Sequence, residues 1–170
     1  FILIIFISLI ILYFIWYLKI AHLTEKKLII LQNNLKENNV IFTWENIEKF
    51  GFPYRVVNKL NSVKINSNNI EIYLENLNII YQPWNIKHII LKSSEIVNIL
   101  SQNNKIIIHP DLMASIRINK FNKKIIAINI DEINILNNQY SHKINKPEIY
   151  FRENNKKQLL YSIKIKELFY

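Results

Sequence analysis

Ile70-Glu71-Ile72-Tyr73-Leu74-Glu75 places an aliphatic side chain at every second position, with Glu71, Tyr73 and Glu75 between them. Successive side chains of an extended chain point to opposite faces, so this spacing predicts a strand with one apolar and one wet face. The period recurs downstream. Ile126, Ile128 and Ile130 alternate with Ala127, Asn129 and Asp131; Tyr161, Ile163 and Ile165 alternate with Ser162, Lys164 and Lys166. β-Branched residues dominate, and Asn-rich breaks at 66–69, 102–104, 137–138 and 154–155 fall where turns are needed. The expected strands are 54–66, 69–81, 86–93, 105–109, 114–120, 124–136, 148–153 and 158–168, with a short helix over 94–100. Such brief breaks leave no room for parallel crossovers. The predicted fold is therefore mainly β: an extended, curved antiparallel meander over 40–170, its apolar face either a core or an open groove.

Before residue 40 the period is helical. Leu28, Leu31 and Leu35 share one face, Thr24 suits an N-cap and Glu25 the first turn, and Asn38-Asn39 ends the run. Upstream, Phe1–Leu18 reads FILIIFISLIILYFIWYL, hydrophilic only at Ser8 and closed by Lys19. A helix of that length rises about 27 Å, close to the hydrocarbon thickness of a bilayer. Tyr13, Trp16 and Tyr17 cluster at its end, where aromatic rings favour the headgroup zone. The run has no polar stripe and no small-residue cleavage site after it. The organisation expected is a transmembrane helix over 1–19 acting as a signal anchor, a stalk helix over 20–39 and an antiparallel β domain over 40–170. Lys19, Lys26 and Lys27 favour a cytoplasmic position for the segment after the span, but the flank before Phe1 is not there to be weighed against them.

Composition excludes several chemistries. The 170 residues contain no cysteine, which removes disulfides, thiol nucleophiles and thiolate metal sites. One glycine, Gly51, cannot supply a phosphate-cradling or dinucleotide loop. The net charge of +9 is spread over scattered lysines in an Ile- and Asn-rich chain, the composition that A/T-rich coding produces. It reads as a solvated surface with some attraction to anionic headgroups, and no nucleic-acid partner is expected.

Gly51-Phe52-Pro53-Tyr54-Arg55 is the most distinctive motif. Glycine permits positive φ and proline fixes its own φ, so the segment is suited to turning the chain into the next strand, with Arg55 free to meet a lipid phosphate. His109-Pro110-Asp111 spells the J-domain tripeptide, but it comes after a strand and reads as a strand-ending turn. His22, His88, His109 and His142 pair with no carboxylate or second histidine at metal-ligand spacing. Asp131-Glu132 would face opposite ways in a strand, and no nucleophile elbow is present. Trp44 and Trp84 read as core or turn anchors. No catalytic, metal or cofactor-binding residue is expected, and the chain reads as no enzyme.

Trp44, the Gly51–Arg55 motif and Gln82-Pro83-Trp84-Asn85 come after an apolar anchor and a polar helix in one order. Over about residues 1–95 this resembles the bacterial envelope family called domain of unknown function 2125, which is distantly AsmA-like. The resemblance implies an inner-membrane protein whose β domain lies in the periplasm and handles membrane lipids. That family has no assigned activity, so Gly51, Phe52, Pro53, Tyr54, Arg55, Pro83 and Trp84 carry over as structural motif residues only. The chain is shorter than typical members, which implies a fragment or a reduced version with a β domain incomplete at its C-terminal side. The alternative reading is a tethered structural or interaction module, its apolar face filled by its own helix or by another envelope protein.

Overall fold

A computed structural model describes residues 2–102, 104–137, 140–154 and 158–169. Phe1, Asn103, Asn138, Gln139, Asn155, Lys156, Lys157 and Tyr170 lie outside them. One helix, α1 (Ile2–Glu37), runs unbroken through both the apolar segment and the expected stalk. Thr24 therefore caps nothing. Asn39, at φ 58°, closes the helix as its left-handed tolerance allows.

Among the described residues α1 gives way to fourteen antiparallel strands. They are β1 (Val40–Thr43), β2 (Asn46–Phe50), β3 (Val56–Ser67), β4 (Ile70–Gln82) and β5 (Asn85–Ser93). Next come β6 (Val97–Ser101), β7 (Asn104–Ile108), β8 (Leu112–Ile118), β9 (Lys124–Asn129) and β10 (Glu132–Asn137). The last are β11 (Ser141–Asn145), β12 (Glu148–Glu153), β13 (Leu159–Lys164) and β14 (Glu167–Phe169). Hydrogen-bonded neighbours run β13-β12-β9-β8-β5-β4-β6-β7-β10-β11-β14, which looks like repeated crossing. The registers show otherwise. β6–β7 pairs Leu100 with Lys105 and Val97 with Ile108, and β5–β8 continues the same ladder with Ser93 on Leu112 and His88 on Arg117. Each such couple is one long strand interrupted at its middle. The fold is an eight-pass meander, curled and creased across its width.

The crease follows from the spacing of apolar residues. Leu60 and Val63 are both fully buried although three apart, an odd interval that an even strand period cannot satisfy. Ser62, at φ 52°, breaks the alternation there without shifting the register, since Asn61 stays opposite Asn76 and Val63 opposite Leu74. Asp111 (φ 78°) and Lys146 (φ 48°) stand at the same level of later passes. Backbone bonds bridge the line, among them His109 N–H to Glu132 C=O and Lys146 N–H to Asp131 C=O.

Three expectations change. Residues 94–100 are not helical: Val97–Ser101 is extended, because Val97 and Ile99 pair with Leu74 and Ile72 and bury their β-branched side chains there. The expected strands 124–136 and 158–168 are each broken by the crease, and 40–43, 46–50 and 141–145 are additional strands. His109-Pro110-Asp111 ends β7 without reversing the chain, since β8 continues in the same direction.

The core lies in the trough. Tyr17, Ala21 and Leu28 form the buried stripe of α1, packed in one cluster with Val56, Leu60, Val63, Leu74, Ile79 and Tyr81.

Candidate functional site

The glycine motif seats the sheet on the helix. Gly51 has φ +101°, and a Cβ there would lie 2.6 Å from the Arg55 carbonyl oxygen. That oxygen is close because the turn is tight: Arg55 N–H donates to the Gly51 carbonyl at 3.0 Å. The Phe52–Pro53 peptide is cis. The Phe52 ring stands edge-on to Phe14 and Tyr17, with centroids 5.3 and 5.2 Å apart. The Tyr13 hydroxyl donates to the Pro53 carbonyl at 2.5 Å, and the Tyr17 hydroxyl to the Phe50 carbonyl at 2.9 Å. Tyr54 and Arg55 are exposed. In the second motif Pro83 is buried at the β4–β5 turn while Trp84 is 58% exposed, so it anchors no core. Trp44 stacks on Phe42 at 5.1 Å and packs against the core.

Beyond this junction the helix packs mainly on β1 and β3, and a cavity of about 420 Å³ opens along its other side. Ile20, Leu23, Leu28, Leu31 and Leu35 supply the helical wall, at the spacing of one helix face. Ile79, Ile89, Leu91 and Ile116 supply the sheet wall. The volume lies within the range of small-molecule sites, about 300–1,000 Å³. Polar atoms are few. Thr24 and Tyr81 share a hydroxyl–hydroxyl hydrogen bond, and each also reaches the Ile20 carbonyl at 3.3 Å. Burial pushes the Tyr81 phenol up, against smaller opposing effects of Thr24 and the neighbouring Asn58 amide. That amide is fully buried beside Tyr81 but outside hydrogen-bonding geometry. Exposed Lys27 stands at the mouth, where an acidic head could meet it.

Strand pairing also builds contacts that linear spacing hides. The Glu132 carboxylate lies 2.7 Å from Lys143 Nζ and 3.4 Å from His109 Nε2, with Asn134 bonded to both the glutamate and the histidine. The Lys143 hydrogen bond chiefly holds the Glu132 carboxyl below its ordinary value. A histidine–carboxylate pair is thus built across strands, at no spacing the sequence shows, because Ile108 opposite Ile133 brings the flanking residues together. Among the described residues no group of three or more His, Asp or Glu could hold a metal ion. A second hollow of about 350 Å³ lies between the β4–β5 and β8–β9 turns, lined by Asn85, Lys87, His88, Arg117 and Asn119 together with Ile118 and Ile125. His88 bonds Ser115 at 3.0 Å, and burial, then the Arg117 charge, push its pKa down.

No family model, curated protein or solved structure matches this chain.

The groove itself had a sequence signal on one wall only. Leu28, Leu31 and Leu35 mark the helical face, whereas Ile89, Leu91 and Ile116 look like any half-buried strand residues.

Proposed function

We propose that this chain is a membrane-anchored β domain of the cell envelope that binds or transfers lipid through an acyl-chain groove beside α1. On this reading α1 crosses the inner membrane with its N-terminal half, the β domain stands in the periplasm, and the chain is kin to the domain of unknown function 2125. One observation carries the proposal: the apolar cavity of about 420 Å³ runs along the same helix that is long and apolar enough to cross a membrane. Burying an acyl chain is favourable by about 0.8 kcal/mol per methylene, so a groove of this lining retains a chain without a polar anchor. Lys27 at its mouth suits a carboxylate or phosphate head.

The test is photocrosslinking of the full chain in vesicles with a diazirine-bearing fatty acid. Adducts are expected on 20–35 and 86–91, and Leu31→Trp with Leu91→Trp, which fill the groove, should remove them while the circular dichroism spectrum holds. Adducts confined to 2–18 would mean that lipid merely surrounds the anchor, and the groove reading falls.

A second reading, an interaction module for another envelope protein, has its own support. Every residue of β13 and β14 is exposed, with Leu159, Tyr161 and Ile163 among them. Such an apolar strand suits a partner chain. Capture of labelled fatty acid by the parent and not by the filled variant separates the two.

A further inference from the structure

The turns of the meander fall on two opposite rims, and their compositions differ sharply. At the rim beside Tyr13 lie turns 51–55 (GFPYR), 83–87 (PWNIK) and 119–124 (NKFNKK). Between the strands these carry Arg55, Lys120 and Lys123, with Lys87 and Lys124 in the strands beside them, and no acidic residue. They also expose Phe52 (44%), Tyr54 (76%), Trp84 (58%) and Phe121 (68%). Lys120 Nζ sits 5.2 Å from the centre of the Phe121 ring. At the opposite rim the described residues between strands, Asn68, Asn69, Gln102 and Tyr140, carry no charge, with Glu71 and Lys105 in the strands beside them.

Charge and aromatic rings together are what a membrane interface selects. The helix places this rim at that interface. Its apolar run ends at Lys19, and the turn at 51–55 is bonded to Tyr13 through Pro53 and touches the Tyr17 ring through Phe52, on the membrane side of that lysine. Contacts from Tyr13–Pro53 to Gln32–Phe42 lay α1 along the strands, so the rim lies across the helix axis and parallel to a membrane that the helix crosses. We propose that the rim formed by 51–55, 83–87 and 119–124 is a second membrane contact. It sinks Phe52, Tyr54, Trp84 and Phe121 into the headgroup region of an anionic bilayer and opens the groove at the membrane surface through Ile86 and Ile116. The hollow lined by Lys87, His88 and Arg117 then faces lipid phosphates from the same rim.

The proposal rests on the reading of 1–19 as a membrane span, and tryptophan quenching separates the two. The full chain is placed in phosphatidylcholine/phosphatidylglycerol vesicles with brominated acyl chains. One protein keeps Trp16 alone (Trp44→Phe, Trp84→Phe) and another Trp84 alone (Trp16→Phe, Trp44→Phe). Trp84 should be quenched to within about twofold of Trp16, since both then lie in the aromatic belt. Trp16 quenched with Trp84 untouched and open to acrylamide overturns the rim contact and leaves the span standing. Both untouched overturns the span, and the rim with it. In the Trp84-only protein, Arg55→Glu with Lys87→Glu and Lys120→Glu should lower quenching in the anionic vesicles toward the value in pure phosphatidylcholine. Quenching that ignores both lipid charge and these substitutions overturns the electrostatic part.

Discussion

The two halves of α1 differ both in how much of their surface is apolar and in what meets it. From Ile2 to Leu12 every side chain is exposed, whereas Tyr13, Tyr17, Ala21, Leu28 and Leu35 turn one face onto the sheet. In the second half the apolar residues share the surface with Glu25, Lys26, Lys27 and Gln32, and the helix has one dry side. From Ile2 to Leu12 the apolar residues go all the way round, and none of the described residues buries them. Hydrophobicity alone does not say what a helix packs against; the width of the apolar face does. A narrow stripe asks for a protein partner, and a full circumference asks for a lipid solvent.

Substitutions along this line should therefore grade from severe to silent. Gly51→Val strikes the turn that clasps the helix. It combines positive-φ strain with a Cβ clash against backbone and should cost about 4 kcal/mol, read as a large drop in Tm in detergent micelles. An unchanged Tm would show that the turn does not govern docking. Arg55→Ala in the same turn, an exposed residue, should stay within about 0.5 kcal/mol of the parent. Leu28→Ala empties a buried site in the docked half and should cost about 3 kcal/mol in the same melt. Tyr17→Phe removes only the hydroxyl bonded to the Phe50 carbonyl, for about 1 kcal/mol.

Acid probes the same contact more gently. Lys49, 2.5 Å from Glu25, holds that carboxyl below its ordinary value of 4.5 chiefly through their hydrogen bond. A carboxyl depressed in the folded state adds stability that is complete above its unfolded pKa and disappears as pH falls through the folded one. Melts taken from pH 6 downward should lose that increment below about 4.5, and Glu25→Gln should flatten this part of the slope. A variant with the parent's full acid dependence would show that the ion pair does not stabilise the docked helix. At the silent end, Ile7→Ala in the undocked half should leave the melt within about 0.5 kcal/mol. If Ile7→Ala costs as much as Leu28→Ala, the two halves do not differ as described.

Local geometry was legible in the residues themselves. The alternation at 70–75 and 126–130 set extended backbone, the Asn-rich breaks located the reversals, and Gly51 marked a left-handed position that no other residue type takes as easily. Each of these depends on a residue and its immediate neighbours. The apolar Phe1–Leu18 run was equally plain, because its signal is the absence of any polar face. The tertiary structure decided where those faces go. The interval from Leu60 to Val63 signals a crease only once both are seen buried on one side, and Val97–Ser101 became a strand because β4 was there to pair with it. The groove needed Ile89, Leu91 and Ile116 on one wall and Leu31 on the other, residues joined by no local pattern. The aromatic and basic turns at 51–55, 83–87 and 119–124 came to share a rim only through the register of the whole meander. Backbone preference acts over a few residues, whereas burial is settled by surfaces that meet across the chain, and only the folded sheet brings them together.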